Sequence, residues 1–161
     1  MIENNKFYLE NLKNIIFFGY SEKFLELIDI NKKFGLKSSI ITDSDQAKQI
    51  TKKLKFKIIN KLDKKFKLYI KKNFEIKKTL FISLGARFIF KKDQIDFLNN
   101  NLINFHGTRL PYDAGGGGYS WKILREDRID NQLVHIVDES VDLGGSIYIK
   151  KSIFPNHCKI A

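Results

Sequence analysis

The chain has 161 residues, of which 43% are hydrophobic and 29% are charged, a composition that predicts one soluble globular domain. No apolar run reaches the about 18 residues that a membrane helix requires, and the single cysteine, Cys158, excludes an internal disulfide, so we expect a cytoplasmic protein without a membrane partner. The net charge of +11 favours a lysine-rich compositional bias over an anionic partner, and the scarcity of arginine, which binds phosphates better than lysine, argues against nucleic acid.

Apolar runs of strand length alternate with longer segments of helical periodicity. The predicted strands cover 14–18, 38–42, 56–59, 79–84, 102–106, 132–137 and 146–154, and the predicted helices cover 22–34, 45–53, 63–72, 91–99 and 119–127. For the first helix we expect Ser21 as the N-terminal cap and Gly35 just past the end. Its buried side is predicted to consist of Phe24, Leu25, Leu27, Ile28 and Ile30.

This alternation predicts the α/β class, with a Rossmann-like, mostly parallel sheet and helices on both faces. One domain is expected over 1–155, with a tail over 156–161 that ends as if a C-terminal region had been cut off. Ligands of such sheets bind at the carboxyl ends of the strands, so the loops after Leu84, His106 and Val137 are expected to meet at one edge. No G-x-G-x-x-G follows Gly19, which argues against a dinucleotide site.

An amide and an imidazole occupy alternate positions of the predicted fifth strand, at Asn104 and His106. Alternate residues of a strand point to the same face, and Asp142 is expected at the end of a neighbouring strand. Together they would form an acyl-transfer site, in which Asn104 stabilises an oxyanion. His106 would take a proton from the attacking group or, when protonated, stabilise the oxyanion. Asp142 would orient His106 and relay a proton through water to the leaving group. For His106 alone, an ordinary structural histidine is the alternative.

The segments Asn104-x-His106, Leu110-Pro111-x-x-x-Gly115 and Asp142-x-Gly144 resemble those of the folate-dependent formyltransferases. That family includes glycinamide-ribonucleotide transformylase, methionyl-tRNA formyltransferase and the amino-sugar N-formyltransferases. The resemblance, which is strongest over 79–150, implies the formyltransferase fold and 10-formyltetrahydrofolate as cosubstrate. It also implies that Asn104, His106 and Asp142 are catalytic. The spacing of the cysteine and histidines matches no zinc site, and no metal is predicted.

Segment 83–89 resembles the stretch that lines the folate pocket in this family, and 137–141 would form the opposite wall. Backbone groups of the first segment would bind the pterin while Phe88 and Ile89 pack on it; the alternative is a plain strand-to-helix turn. The predicted folate contacts are Ser83, Leu84, Gly85, Ala86, Arg87, Phe88, Ile89, Val137, Asp138, Glu139 and Val141.

The stretch from His106 to Pro111, the glycine run 115–118 and Ser120-Trp121 look most like the branch that formylates nucleotide-linked amino-deoxysugars for surface polysaccharide. The predicted acceptor contacts are Arg109, Gly116, Gly117, Tyr119 and Trp121. Arg109 fits a surface role equally well, Tyr119 and Trp121 fit a helix core, and His135 is expected to be structural.

Asn131 and Leu133 stand where the family usually has Gly and Ser or Thr, and the stretch 142–146 also departs from the common pattern. The acceptor therefore stays open between an amino sugar, glycinamide ribonucleotide, methionyl-tRNA and water. A folate-binding fragment without turnover is a further alternative, and a homodimer is compatible with the sequence.

Overall fold

A computed structural model describes residues 9–42, 56–59, 61–107, 109–110, 112–113 and 118–155. The predicted helix over 45–53, the tail over 156–161 and most of the glycine run lie outside these ranges. The described strands and helices, in chain order, are β1 (Asn14–Gly19), α1 (Phe24–Lys33), β2 (Lys37–Thr42), β3 (Phe56–Ile58), α2 (Lys64–Asn73), β4 (Thr79–Leu84), α3 (Lys92–Phe97), β5 (Leu102–His106), α4 (Gly118–Leu124), β6 (Ile129–Ile136) and β7 (Ser146–Ile153).

The strands form a seven-stranded sheet in the order β3-β2-β1-β4-β5-β6-β7. The pairs from β3 to β5 are parallel, whereas β6 and β7 run antiparallel to their neighbours. The predicted mostly parallel α/β sheet is therefore confirmed. Strand order reverses direction at β1 and β4, and this switch point is where open α/β sheets bind ligands.

The central strand β1 is buried along its whole length, because a parallel strand is covered on both faces. The alternate residues of β1 pack into two hydrophobic clusters, one on each face of the sheet. Ile16 and Phe18 join the first, which includes Phe66 of α2 and Ile95 of α3. The second lies on the other face, where Phe17 stacks at 5.0 Å on Phe24 of α1. Helices thus cover both faces, as predicted.

Phe18 anchors the loop that follows β4. Its ring, which is fully buried, lies 5.1 Å from that of Phe90 and 6.3 Å from that of Phe88. At the strand ends, a Cβ on Gly19 would fall 2.4 Å from the Leu84 carbonyl oxygen, and one on Gly85 would fall 2.7 Å from that of Tyr20. Both glycines also have positive φ, a conformation that side chains disfavour. The start of the loop is therefore fixed by contacts that require glycine.

Several local predictions for α1 are wrong. The helix begins at Phe24, and its N-cap residue Lys23 has no side-chain cap. Ser21 instead forms the turn before it: its backbone carbonyl accepts from the Phe24 amide and its Oγ accepts from the Lys23 amide. Leu25 and Ile30 are exposed, at 38% and 47%, because they face away from the sheet. Gly35, with φ of +72°, does follow the helix end as predicted.

The other helices differ from prediction mainly in length. Asp63 caps α2 by accepting hydrogen bonds from the amides of Lys65 and Phe66. The helix α3 ends at Phe97, because Asn99 and Asn100 adopt left-handed conformations that end a helix. Among the described residues, no helix is both long and apolar enough to cross a membrane.

Candidate active site

Asn104 and His106 lie on one face of β5, as their alternation predicts. Asn104 pairs with His135 across the antiparallel β5–β6 ladder, and its side-chain nitrogen lies 3.2 Å from Nε2 of His135. The rings of His106 and His135 meet edge to face with centroids 6.1 Å apart. The strand pairing thus brings an amide and two imidazoles together.

Asp142 reaches this group by a different path from the one predicted. Because β6 is antiparallel, its carboxyl end lies at the amino end of β5, where the Val137 amide donates to the Leu102 carbonyl over 2.9 Å. The expectation that the loop after Val137 leaves the sheet at the same edge as the other two is therefore wrong. The loop folds back instead, so that Oδ1 of Asp142 lies 3.6 Å from Nδ1 of His106 and 3.9 Å from Nε2 of His135.

Backbone geometry holds this returning loop. Asp142 has a φ of 58°, in the left-handed region that Asp tolerates better than most residues. A Cβ on Gly144 would fall 1.8 Å from the Ile136 carbonyl oxygen, so only glycine permits the close approach. The carboxylate is thereby placed beside His106, where its side chain is 14% exposed.

The two ring nitrogens of His106 have different surroundings. Its Nδ1 faces the Asp142 carboxylate at 3.6 Å, slightly beyond hydrogen-bond distance. Catalytic contacts of this length often shorten when a ligand binds. Its Nε2 is buried and has no hydrogen-bond partner among the described residues. Such a nitrogen is available to a reacting group.

His135 also belongs to the site, although the sequence indicates only a structural role for it. Its Nδ1 lies 3.0 Å from the Ile136 carbonyl oxygen; since a carbonyl only accepts, Nδ1 carries the proton and Nε2 accepts from Asn104. Burial lowers the pKa of this imidazole below its ordinary value of 6.5, which keeps it neutral. The signal that could have found it is its cross-strand pairing with Asn104, which depends on the β5–β6 register.

A cavity of about 630 Å³ lies over these side chains. Asn104, His106 and His135 form its floor, the loop after β4 forms one wall and the loop after β6 forms the other. All the predicted folate contacts line it except Glu139. Another cavity, of about 530 Å³, lies among Lys13, Lys37 and Tyr69 and is lined by no histidine, so the larger one carries the candidate chemistry.

Of the predicted acceptor residues, Arg109 and Trp121 have described side chains, and neither lines the cavity. Arg109 forms an ion pair of 2.7 Å with Asp127, and its guanidinium lies 5.1 Å from the centre of the Tyr112 ring. Trp121 is 58% exposed, which excludes the helix-core alternative for it. Gly116, Gly117 and the side chain of Tyr119 lie outside the described part, so their roles stay predictions.

No family model matches the sequence, and no curated protein sequence aligns with it significantly. Solved structures do resemble the fold. Phosphoribosylglycinamide formyltransferase from Bacillus halodurans superposes with a TM-score of 0.73 at 15% identity, over 92% of this chain and 84% of that one. Formyltetrahydrofolate deformylase from Pseudomonas syringae pv. tomato gives 0.72 at 14% identity, over 94% of this chain and 54% of that one.

A third similar structure is the formyltransferase PseJ from Anoxybacillus kamchatkensis, in complex with UDP-4,6-dideoxy-4-formamido-L-AltNAc and tetrahydrofolate. It superposes with a TM-score of 0.62 at 22% identity, over 88% of this chain and 61% of that one. The chain thus spans only part of the length of the second and third structures. These similarities confirm the predicted formyltransferase fold.

Proposed function

We propose that this protein transfers a formyl group from 10-formyltetrahydrofolate to an amine. One observation carries the proposal: Asp142, which is distant in sequence from the neighbouring Asn104 and His106, meets them at the lining of a 630 Å³ cavity. The formyltransferase fold of the chain supports the assignment. The single cysteine fits a reducing cytoplasm as the place of the reaction.

The reaction needs a proton acceptor and a donor to an oxyanion, and the cavity floor offers both. The amine nitrogen attacks the formyl carbon, and Nε2 of His106 takes the proton that the nitrogen loses. Asp142 faces Nδ1 of the same ring and stabilises the imidazolium. The tetrahedral oxyanion accepts a hydrogen bond from the Asn104 amide, a contact worth about 2.7–4 kcal/mol in comparable sites.

Collapse of this intermediate breaks the bond between the formyl carbon and N10 of the folate. N10 leaves with a proton, which His106 supplies directly or through water held by Asp142. The amine keeps the formyl group as an amide, and tetrahydrofolate is released. Every step uses side chains that line the cavity, and this series of reaction steps requires neither a metal nor a covalent enzyme intermediate.

The folate occupies the space between the loop after β4 and the loop after β6. Gly85 leaves backbone groups open to a ligand at the start of the first loop, and Phe88 contacts the Phe18 ring that anchors it. Arg87 is exposed and lines the cavity, where its charge suits a carboxylate of the cosubstrate. Ile89, 73% exposed, provides apolar surface for the pterin.

For the acceptor, we propose a nucleotide-linked amino-deoxysugar whose formamido product enters surface polysaccharide. The stretch from His106 to Pro111 and the likeness to PseJ support this choice, and the exposed Trp121 could stack on a base or sugar. Likeness to a glycinamide-ribonucleotide enzyme and to a deformylase makes those reactions the alternatives to test.

The test is a transfer assay with 10-formyltetrahydrofolate and separate nucleotide-linked amino sugars, glycinamide ribonucleotide, methionyl-tRNA and no acceptor. Tetrahydrofolate release and the formyl mass on the acceptor are followed. His106→Ala is the active-site variant, and His157→Ala in the tail is its matched control. Transfer to one amine, lost in His106→Ala and kept in the control, supports the proposal and names the acceptor.

Formate release without an acceptor would assign a hydrolase instead. Folate binding measured by calorimetry without any turnover would assign a folate-binding fragment. Failure to bind folate at all would refute the proposed function.

A further inference from the structure

Three side chains that line the cavity are of types that commonly bind metal ions. They are the imidazoles of His106 and His135 and the carboxylate of Asp142. Each residue offers one ligand atom, and these atoms lie within 4.8 Å of one another. We propose that the cluster binds a divalent transition-metal ion of the Zn²⁺ class, which inhibits the enzyme rather than serving as its cofactor. The inhibition rests on the proposed function, whereas the binding does not.

His135 is already oriented as metal-ligating histidines are. Its Nδ1 donates to the Ile136 carbonyl at 3.0 Å, the contact to a backbone carbonyl that usually fixes the tautomer of a ligating imidazole. Its Nε2 lone pair therefore faces Asn104 and Asp142.

The separations of the ligand atoms suit one ion. Zinc lies about 2.0–2.2 Å from nitrogen and oxygen ligands, so two ligands at the tetrahedral angle are about 3.3–3.6 Å apart. Asp142 meets that spacing with His106 Nδ1, at 3.6 Å, and lies a few tenths of an ångström beyond it from His135 Nε2, at 3.9 Å. The separation between the ligand atoms of the two rings, which is at most 4.8 Å, has to shorten when an ion binds, and His106 lies at the end of β5.

The donor set selects the class of ion. Two imidazoles and one carboxylate suit zinc, nickel or copper, whereas magnesium and calcium prefer oxygen ligands alone. Three protein ligands leave a fourth position for water, as in open zinc sites. That position faces the cavity, because all three residues line it.

A bound ion would block the proposed transfer in two ways. It would take a lone pair of His106, the residue proposed to accept the proton from the amine. It would also occupy Nε2 of His135, which holds the Asn104 amide, so the oxyanion donor would lose its partner. Chelation would restore both groups.

The site is tested by titrating the chelator-treated full chain with ZnCl₂ in a calorimeter and with Co²⁺ by visible absorption, which reports tetrahedral ligation. We expect one equivalent to bind, with affinity at least about tenfold lower in Asp142→Asn and in His135→Gln. Asp142→Asn keeps the size of the side chain, so it serves if His135→Gln fails to fold. A His157→Gln/Cys158→Ser double variant of the tail is the control and should bind as the wild type does.

No saturable binding in the wild type, or binding that is lost only in the tail variant, would overturn the site. Unchanged affinity in Asp142→Asn would do the same. Binding with no effect on formyl transfer would overturn the inhibitory role and leave the site in place. If the metal-free protein transfers no formyl group, the proposed function fails, and the calorimetric and cobalt readouts still decide whether the site exists.

Discussion

The side-chain amide of Asn104 lies 3.2 Å from Nε2 of His135, and this contact joins β5 to β6 beneath the cavity. Because Nδ1 of His135 is committed to the Ile136 carbonyl, Nε2 can only accept, and the contact fixes which way the Asn104 amide faces. Among the described residues the second amide hydrogen of Asn104 has no hydrogen-bond acceptor, and we expect it to face a ligand. A residue expected to be structural thus orients the proposed oxyanion donor.

The buried His135 should make stability depend on pH. Its pKa is lowered in the fold, so below its ordinary value of 6.5 the unfolded chain binds a proton that the folded chain does not. The free energy of unfolding should therefore fall as pH drops below about 6.5, by at most about 1.4 kcal/mol per pH unit. Urea unfolding across this range measures it. His135→Gln should flatten the dependence and His157→Gln should not; equal slopes in all three proteins would contradict the assignment.

Asp142→Asn should lower kcat/KM for formyl transfer by about a hundredfold, the lower end of what positioned acid–base groups contribute. The substitution keeps the shape of the side chain and removes the charge that faces Nδ1 of His106 at 3.6 Å. Glu139→Gln removes a charge from the same loop at a residue that does not line the cavity, and it should leave the rate unchanged. Equal effects of the two variants would indicate general loop electrostatics instead.

Much of this site could be predicted from local sequence. The strand from Leu102 to His106 has the predicted bounds, and alternation correctly placed Asn104 and His106 on one face. The position of His135 could not be predicted, because it depends on pairing between strands that are distant in sequence. The antiparallel direction of β6 likewise depends on pairing between distant strands, which is why the predicted path of the loop to Asp142 was wrong. The predicted cap of α1 failed for another reason: the Ser21 side chain accepts from the amide of Lys23, which precedes the first helical residue.

Gly144→Ala should damage both stability and activity. The new Cβ would fall 1.8 Å from the Ile136 carbonyl oxygen, so the loop must move, at a cost of about 1–3 kcal/mol, and Asp142 must move with it. Gly35→Ala is the matched control, because its Cβ meets nothing within 4 Å and only its left-handed backbone is strained, by about 1–2 kcal/mol. Urea unfolding should show a loss of stability in both variants, and kcat should separate them, with activity lost in Gly144→Ala alone. Full activity in Gly144→Ala would show that the loop does not position Asp142.

Phe18→Ala should destabilise the protein by about 3–5 kcal/mol. Its ring is fully buried and contacts four other rings, those of Phe66, Phe81, Phe88 and Phe90. Phe34→Ala, at a position that is 76% exposed, should change the free energy of unfolding by less than about 0.5 kcal/mol. Chemical denaturation measures both. Similar losses in the two variants would contradict the assigned core.

Arg109 could bind the acceptor or stabilise the fold. Its ion pair of 2.7 Å with Asp127 favours the structural role. A double-mutant cycle of Arg109→Gln and Asp127→Asn should give a coupling free energy of about 1 kcal/mol in urea unfolding, because the pair is only partly exposed, at 27% and 15%. The KM for the acceptor decides the role in binding. If Arg109 only joins the loop after β5 to the end of α4, both single variants should raise KM alike by moving that loop. If Arg109 contacts a phosphate of the acceptor, Arg109→Gln should raise KM far more than Asp127→Asn. The Asp127→Asn variant keeps the guanidinium and removes only the carboxylate that competes with the phosphate for it.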